Sequence, residues 1–450
     1  LTTPPALQSA PQPSALSHQT TTSRDIFAIA GPAMLANLTT PMLGVVATAA
    51  IGQLGDAALL GGVAMASVIF DCLFWLFSFL RMGTIAFTAQ ALGAGQRPEF
   101  PALLLRGFII AGIVGVTLII LQWPLGTLLF GAMGGSESVT DAAKTYFAVR
   151  IWSAPFTLAN YVALGWLVGQ ARAKLALAVQ IAINVVNMAV TVLLVLIAGW
   201  GITGAATASV IAEIFGLVLG VIVARQLLGG RIAASRAELL DRAKLTHMMA
   251  VNRDIMIRTA ALIATFMFFV AQGARSGDLT LAANAVLNNF LLISAFFLDG
   301  LANAAEQVCG KAYGARNRQA FSSATSLTIR WGFGFALAVS TVYALFGSLL
   351  IDVMTASEDV RAMAKAHLWL VAFAPVLGVF AFAYDGVFIG ATWARDMRNL
   401  MLLSFVIYLA AWYLLLPFGN AGLWGALLVH YVARGGLQAL RYPALLRTSF

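Results

Sequence analysis

Seven stretches free of Asp, Glu, Lys and Arg constrain the fold of this chain most: 26–55, 107–136, 151–171, 175–212, 279–298, 331–351 and 399–433. A helix needs about 20 mostly apolar residues to cross a bilayer. Inside lipid the backbone must satisfy its own hydrogen bonds, so helices are the simplest form such runs can take. Composition agrees: 60% of the residues are hydrophobic and only 10% charged, against about a quarter in a soluble domain. Two of the runs hold more than one helix. Gly199-Trp200-Gly201 breaks one and Pro417-Phe418-Gly419-Asn420 the other, both turn-forming combinations. With the less clean runs included, twelve spans are expected, near 26–50, 58–82, 103–123, 143–169, 174–198, 203–225, 254–275, 281–308, 321–348, 362–389, 398–417 and 421–441.

The net charge of +9 comes from basic residues in the breaks between these runs. They gather after the even-numbered spans: Arg97 and Arg106, Arg172 and Lys174, Lys311, Arg316 and Arg318, Arg395 and Arg398. The central break adds Arg225, Arg231, Arg236, Arg242, Lys244 and Arg253, whereas 51–57, 199–202 and 418–420 contain no Lys or Arg. The basic side of a membrane protein is the cytoplasmic one, so both termini are expected inside, at a cell inner (plasma) membrane. Basic residues so placed form no nucleic-acid face.

The chain also repeats itself. Ala91-Leu92-Gly93-Ala94 recurs as Ala312-Tyr313-Gly314-Ala315, 221 positions later. Ala154-Pro155 recurs as Ala374-Pro375, Gly165 and Gly169 as Gly386 and Gly390, and Gly201, Gly204 and Ala208 as Gly419, Gly422 and Ala426. Six spans per repeat is an even number, which gives two lobes of parallel topology about an axis along the membrane normal. The expected fold is all-α, with twelve transmembrane helices in two six-helix lobes, 24–225 and 253–450. They are joined by a cytoplasmic linker, 226–252, with a short surface helix over Ala237–Arg242. Residues 1–23 are uncharged and rich in Ser, Thr, Pro and Gln, lack the pattern of a signal peptide, and read as a disordered cytoplasmic tail.

An ionised carboxylate within a membrane is costly and normally faces a cavity or a partner. Asp71, Glu213, Asp299, Glu306 and Asp385 fall inside expected spans. Each could instead make a helix–helix hydrogen bond or sit at the water interface. Asp299 and Glu306 are seven apart, two turns on one helix face, a spacing that suits two carboxylates lining one cavity and sharing a proton. Asn184 and Asn187 share a face of the fifth span and could hold an ion, a substrate or a neighbouring helix. Arg81 and Arg150 lie near expected span ends, where snorkelling to the interface accounts for them. The acids and aromatics favour cationic or zwitterionic substrates. Cys72 and Cys309 are far apart, and His18, His247, His367 and His430 have no ligand spacing, so neither a disulfide framework nor a metal site is expected. No hydrolase elbow, zinc-protease motif or phosphate loop occurs, which points away from an enzyme.

Four sets of residues form motifs: Phe79-Leu80-Arg81-Met82-Gly83-Thr84 with Thr88-Ala89-Gln90-Ala91, Asn252-Arg253-Asp254-Ile255-Met256, Leu298-Asp299-Gly300 with Ala304-Ala305-Glu306, and Asp385-Gly386-Val387-Phe388-Ile389-Gly390-Ala391-Thr392. Together they resemble the multidrug and toxic compound extrusion family, and its DNA-damage-inducible F branch in particular. The similarity runs from about 26 to 445. It implies a V-shaped pair of lobes and export of amphipathic organic cations in exchange for H⁺ or Na⁺, without a cofactor and as a monomer in lipid. The family's first-span Val-Asp-Thr stands here as Val46-Ala47-Thr48, and the acid expected after the asparagines of the fifth span is Thr191. Coupling is therefore expected to lie with Asp385, Asp299 and Glu306, assisted by Asp71 or Glu213. Asn184, Asn187 and Thr48 remain as neutral candidates. The alternatives are a lipid-linked-precursor flippase and an uncoupled carrier.

Overall fold

The structure, a computed structural model, describes residues 21–450. Most of the tail expected over 1–23 lies outside the described residues. The first span is α1 (Ser23–Gly52), started by Thr22, whose hydroxyl and amide exchange hydrogen bonds with Asp25 in a capping box. The second is built of α2 (Ala57–Leu76) and α3 (Phe79–Gly93), and the third is α4 (Phe100–Ile120). A short helix, α5 (Gln122–Met133), then precedes the fourth span, made of α6 (Glu137–Arg150) and α7 (Ala154–Gly169). The fifth and sixth are α8 (Ala173–Val192) and α9 (Gly201–Leu227). After the single-turn α10 (Arg236–Leu239) come α11 (Arg242–Arg275), α12 (Asp278–Gly314), α13 (Arg318–Met354), α14 (Glu358–Gly390), α15 (Ala394–Leu415) and α16 (Gly419–Ser449).

Among the described residues, eleven continuous helical runs are long and apolar enough to cross a membrane. The last, Ala394–Ser449, covers 56 residues, about 84 Å of helix against a hydrocarbon core of about 30 Å. It is two spans, α15 and α16, which pack on each other across a turn at Leu416–Phe418. All twelve expected spans are present. Gly201 and Gly419, repeat mates at the start of the sixth and twelfth spans, take φ of 54° and 55°, a left-handed conformation that glycine adopts at no steric cost.

The packing repeats as the sequence does. In the first half α1 packs on α8, α8 on α9, α4 on α7, α2 and α3 on α6 and α7, and α6 and α7 on α9. In the second half α11 packs on α15, α15 on α16, α13 on α14, α12 on α14, and α14 on α16. Each contact of the first set has its counterpart in the second. Gly165 and Gly169 lie against the carbonyls of Arg81 and Ile85, and Gly386 and Gly390 against those of Ala302 and Glu306, the same pairs shifted by 221. Lacking a Cβ, these glycines let the backbones approach closely, as helix association in lipid requires. The halves meet where α12 crosses α3 and α1. Gly93 abuts the carbonyl of Lys311 and Gly314 that of Gln90, a reciprocal contact at the pseudo-two-fold axis.

Apolar and polar groups are distributed as lipid solvation demands. Ile113, Leu345 and Val353 point outward at 64%, 70% and 81% exposure, while Asn160, Asn252, Arg258, Glu306, Asp385 and Arg434 are buried. Two local expectations need correction. The surface helix expected over Ala237–Arg242 is one turn only, because Asp241 accepts from the amides of Ala243 and Lys244 and starts α11. The uncharged run 107–136 breaks at Leu121 into α4 and α5, a division that its uniform apolarity concealed.

Candidate transport site

In the first half the polar groups gather at two helix breaks. The second span is interrupted at Phe77 and Ser78, just before Arg81, and the fourth at Ile151–Ser153, just after Arg150. Pro155 explains the second break, since it cannot donate to the preceding turn and so sits in the first turn of α7. Both spans run past the expected ends, over Ala57–Gly93 and Glu137–Gly169, which places Arg81 and Arg150 within continuous helical runs rather than at their ends. Arg150 donates to the Tyr146 hydroxyl at 3.0 Å, and its guanidinium lies 4.8 Å from the Phe70 ring centroid. Asp71 is exposed, with Arg150 as its charged neighbour. Glu213, half-buried on α9, accepts from Asn160 of α7 at 2.7 Å.

The neutral candidates of this half have structural partners. Asn184 accepts from Gln180 and donates to Thr39 of α1, both at 3.0 Å, and so ties α8 to α1. Asn187 donates to Ser209 of α9 at 3.4 Å and accepts from Thr191 at the same distance. Thr48 is exposed and Ala47 half-buried, so this wall of the first half carries no carboxylate.

The second half holds a denser cluster. Asp385 on α14 pairs with Arg258 of α11 and Arg434 of α16, and accepts from Gln438 at 2.8 Å. One carboxylate thus joins three helices. Buried charges persist only when paired and hydrogen-bonded, and Asp385 fulfils both conditions. Around it, Arg258 Nε, Arg434 Nε, Gln438 Oε1, His430 Nε2 and the Tyr408 hydroxyl are buried without a hydrogen-bond partner.

Asp299 and Glu306 share a face of α12 as their spacing implied, but their surroundings differ. Asp299 is exposed, deep along the chain of a spanning helix, and Arg434, Arg258 and Arg81 are the cations acting on it. Glu306 is 2% exposed, and its Oε2 has no hydrogen-bond partner. No hydrogen bond joins the two acids among the described residues, so they do not share a proton in this structure. Arg81 of the opposite half and Arg258 are charged neighbours of Glu306. The Nε of Arg81 is likewise buried and unpartnered.

The expected acidic interior is therefore corrected. Arg258 and Arg434 lie inside the expected spans 254–275 and 421–441 and, with Arg81, offset Asp299, Glu306 and Asp385. Their positions within those spans were the signal that would have found them.

A family model described as MatE matches residues 32–193 and again 255–414. DNA damage-inducible protein F of Escherichia coli is 36% identical over 418 residues, covering 92% of this chain and 91% of that protein. A probable multidrug resistance protein NorM of Caulobacter vibrioides is 26% identical over 92% of this chain and 90% of its own length. Among solved structures, a MATE transporter in the bent conformation superposes with a TM-score of 0.86 at 19% identity, covering 98% of this chain and 100% of that one. A MATE transporter of Vibrio cholerae gives 0.85 at 21% identity, covering 97% and 98%.

Proposed function

The chain belongs to the MatE family, and on that premise we propose that it is a secondary active exporter of small amphipathic organic molecules bearing a cationic group, driven by H⁺ or Na⁺. It is a multi-pass membrane protein and a transporter rather than an enzyme. In this reading the halves 24–225 and 253–450 rock about the α3–α12 crossing, in an inner membrane, with the basic end and both termini cytoplasmic. Two similar lobes about a central axis suit alternating access, with substrate held near the midplane.

The observation that carries the reading is Asp299, an acid in the middle of a spanning helix whose side chain is exposed rather than packed. Such a carboxylate can receive a substrate's cationic group. Glu306, buried with its Oε2 short of a hydrogen-bond partner, is the second coupling candidate. Asp385, held by two guanidiniums and an amide, serves to position them. With alanine at 47 and threonine at 191, the coupling chemistry falls to the second half.

The test is efflux of a fluorescent organic cation from proteoliposomes under separate pH and Na⁺ gradients, for the unmodified chain, Asp299→Asn, Glu306→Gln and Asp385→Asn. Gradient-driven efflux lost in Asp299→Asn and Glu306→Gln supports the assignment. Efflux indifferent to every gradient means an uncoupled carrier, and full activity in all three variants moves coupling elsewhere. Arg258 and Arg434, buried within the second half, leave a lipid-linked-precursor flippase as the second reading. Family membership keeps the exporter first.

A further inference from the structure

At the basic end, on the seam between the halves, α3, α11 and the start of α4 enclose a cavity of about 300 Å³ with the α12–α13 turn. We propose that this cavity binds a phosphate group, from an acidic phospholipid headgroup or a soluble phosphate ester. Its charged walls are Lys244, Arg106, Arg316 and Glu99, an excess of two positive charges, with His247, Phe87 and Tyr313 beside them. Basic pockets between helices at the cytoplasmic face are where anionic headgroups are held.

The pocket is built rather than incidental. Arg106, 2% exposed, donates to Glu99 and to the carbonyls of Glu238 and Leu239, which fixes the connecting segment onto α4. Glu99 also takes Lys244 at 2.6 Å. Glu99 is the acid of the cavity, and Arg106 and Lys244 already meet it. The His247 ring stands edge-on to Phe87 at 5.7 Å. Arg316 is exposed and enters no ion pair among the described residues, so its five guanidinium donors are available.

The repeat supplies the second observation. Arg316 has φ of 52° and its mate in the first half, Gly95, φ of 71°. Both close the same turn: Gly95 donates to the carbonyl of Leu92, and Arg316 to that of Tyr313. Left-handed backbone is strained for any residue with a Cβ and free for glycine. Glycine occupies the position in one half, and a strained arginine facing the cavity occupies it in the other. Ala171 and Thr392 hold the same left-handed turn in the repeat, so what distinguishes this turn is the guanidinium it sets against the cavity. An anion held between Arg316 on one side and Lys244 and His247 on the other would also tie the α12–α13 turn to the start of α11 at the basic end.

The full chain is placed in nanodiscs of phosphatidylcholine alone or doped with phosphatidylglycerol, and glycerol phosphate is added to the first set. Thermal midpoints and lipids retained in native mass spectra are read. The unmodified chain is stabilised by one or both anions. Arg316→Gly, which relieves the strained turn, folds with an anion-free midpoint at least as high and binds roughly tenfold more weakly or worse. Lys244→Gln shows a smaller loss. Stabilisation by phosphatidylglycerol alone names a headgroup as the source; stabilisation by glycerol phosphate alone names a soluble ester. Unchanged affinity in Arg316→Gly, or no response to either anion, overturns the proposal, and neither result bears on export.

Discussion

The two halves share a packing scheme and differ in what they do with charge. In the first, the second and fourth spans are broken, at Phe77–Ser78 and Ile151–Ser153, and polar side chains settle beside the breaks. In the second, the corresponding helices α12 and α14 run unbroken for 37 and 33 residues, although Pro375 repeats Pro155. The charges beside the helix breaks of the first half, Asp71, Arg150 and Glu213, are exposed or half-buried and lean on aromatic rings and an amide. Those of the second, Arg258, Asp385 and Arg434, are at most 4% exposed and depend on one another. Repetition of backbone packing therefore leaves the electrostatics of each half free to diverge, because the packing rests on glycines while the charges occupy other helix faces.

The sharpest test of this contrast is to remove one charge from the buried cluster. Arg434→Ala leaves Asp385 with an incomplete set of partners and should cost about 3–5 kcal/mol in detergent unfolding. Its counterpart, Asn160→Ala, takes one amide from the half-buried Glu213 and should cost about 1–3 kcal/mol. Equal losses would mean that the halves are electrostatically alike after all.

A second pair probes what the halves share. Gly165→Val and Gly386→Val push a side chain against the carbonyls of Arg81 and Ala302, and each should cost about 1–3 kcal/mol. A large difference between them would show that the glycine contacts are not equivalent. The smallest effect is expected at Asp71. Asp71→Asn removes an exposed neighbour of Arg150 and should change stability by about 0–1 kcal/mol, with efflux retained. Loss of gradient-driven efflux in that variant would return coupling to the first half.

Much of the architecture was legible because lipid enforces it. Uncharged runs long enough to span, breaks at Gly199–Gly201 and Pro417–Asn420, and the offset of 221 all survive in three dimensions. The repeat was readable from glycines such as Gly165 and Gly386 because close backbone approach tolerates little else. The acids at 71, 213, 299, 306 and 385 were visible as carboxylates out of place, and the seven-residue spacing of Asp299 and Glu306 gave their common face.

Their partners were not legible. That Arg258 and Arg434 converge on Asp385 depends on α11, α14 and α16 meeting, and these residues lie 49 to 176 positions apart in the chain. That Asp299 is exposed and Glu306 buried is set by neighbouring helices, since the seven-residue spacing places both on one face and does not say what covers it. The reach of Arg81 from one half toward Glu306 of the other likewise exists only once α3 and α12 cross. Periodicity and the cost of charge in lipid operate along the chain, so the sequence alone determined the spans and the repeat. Pairing and solvation of charge operate between helices, and only the tertiary structure decided them.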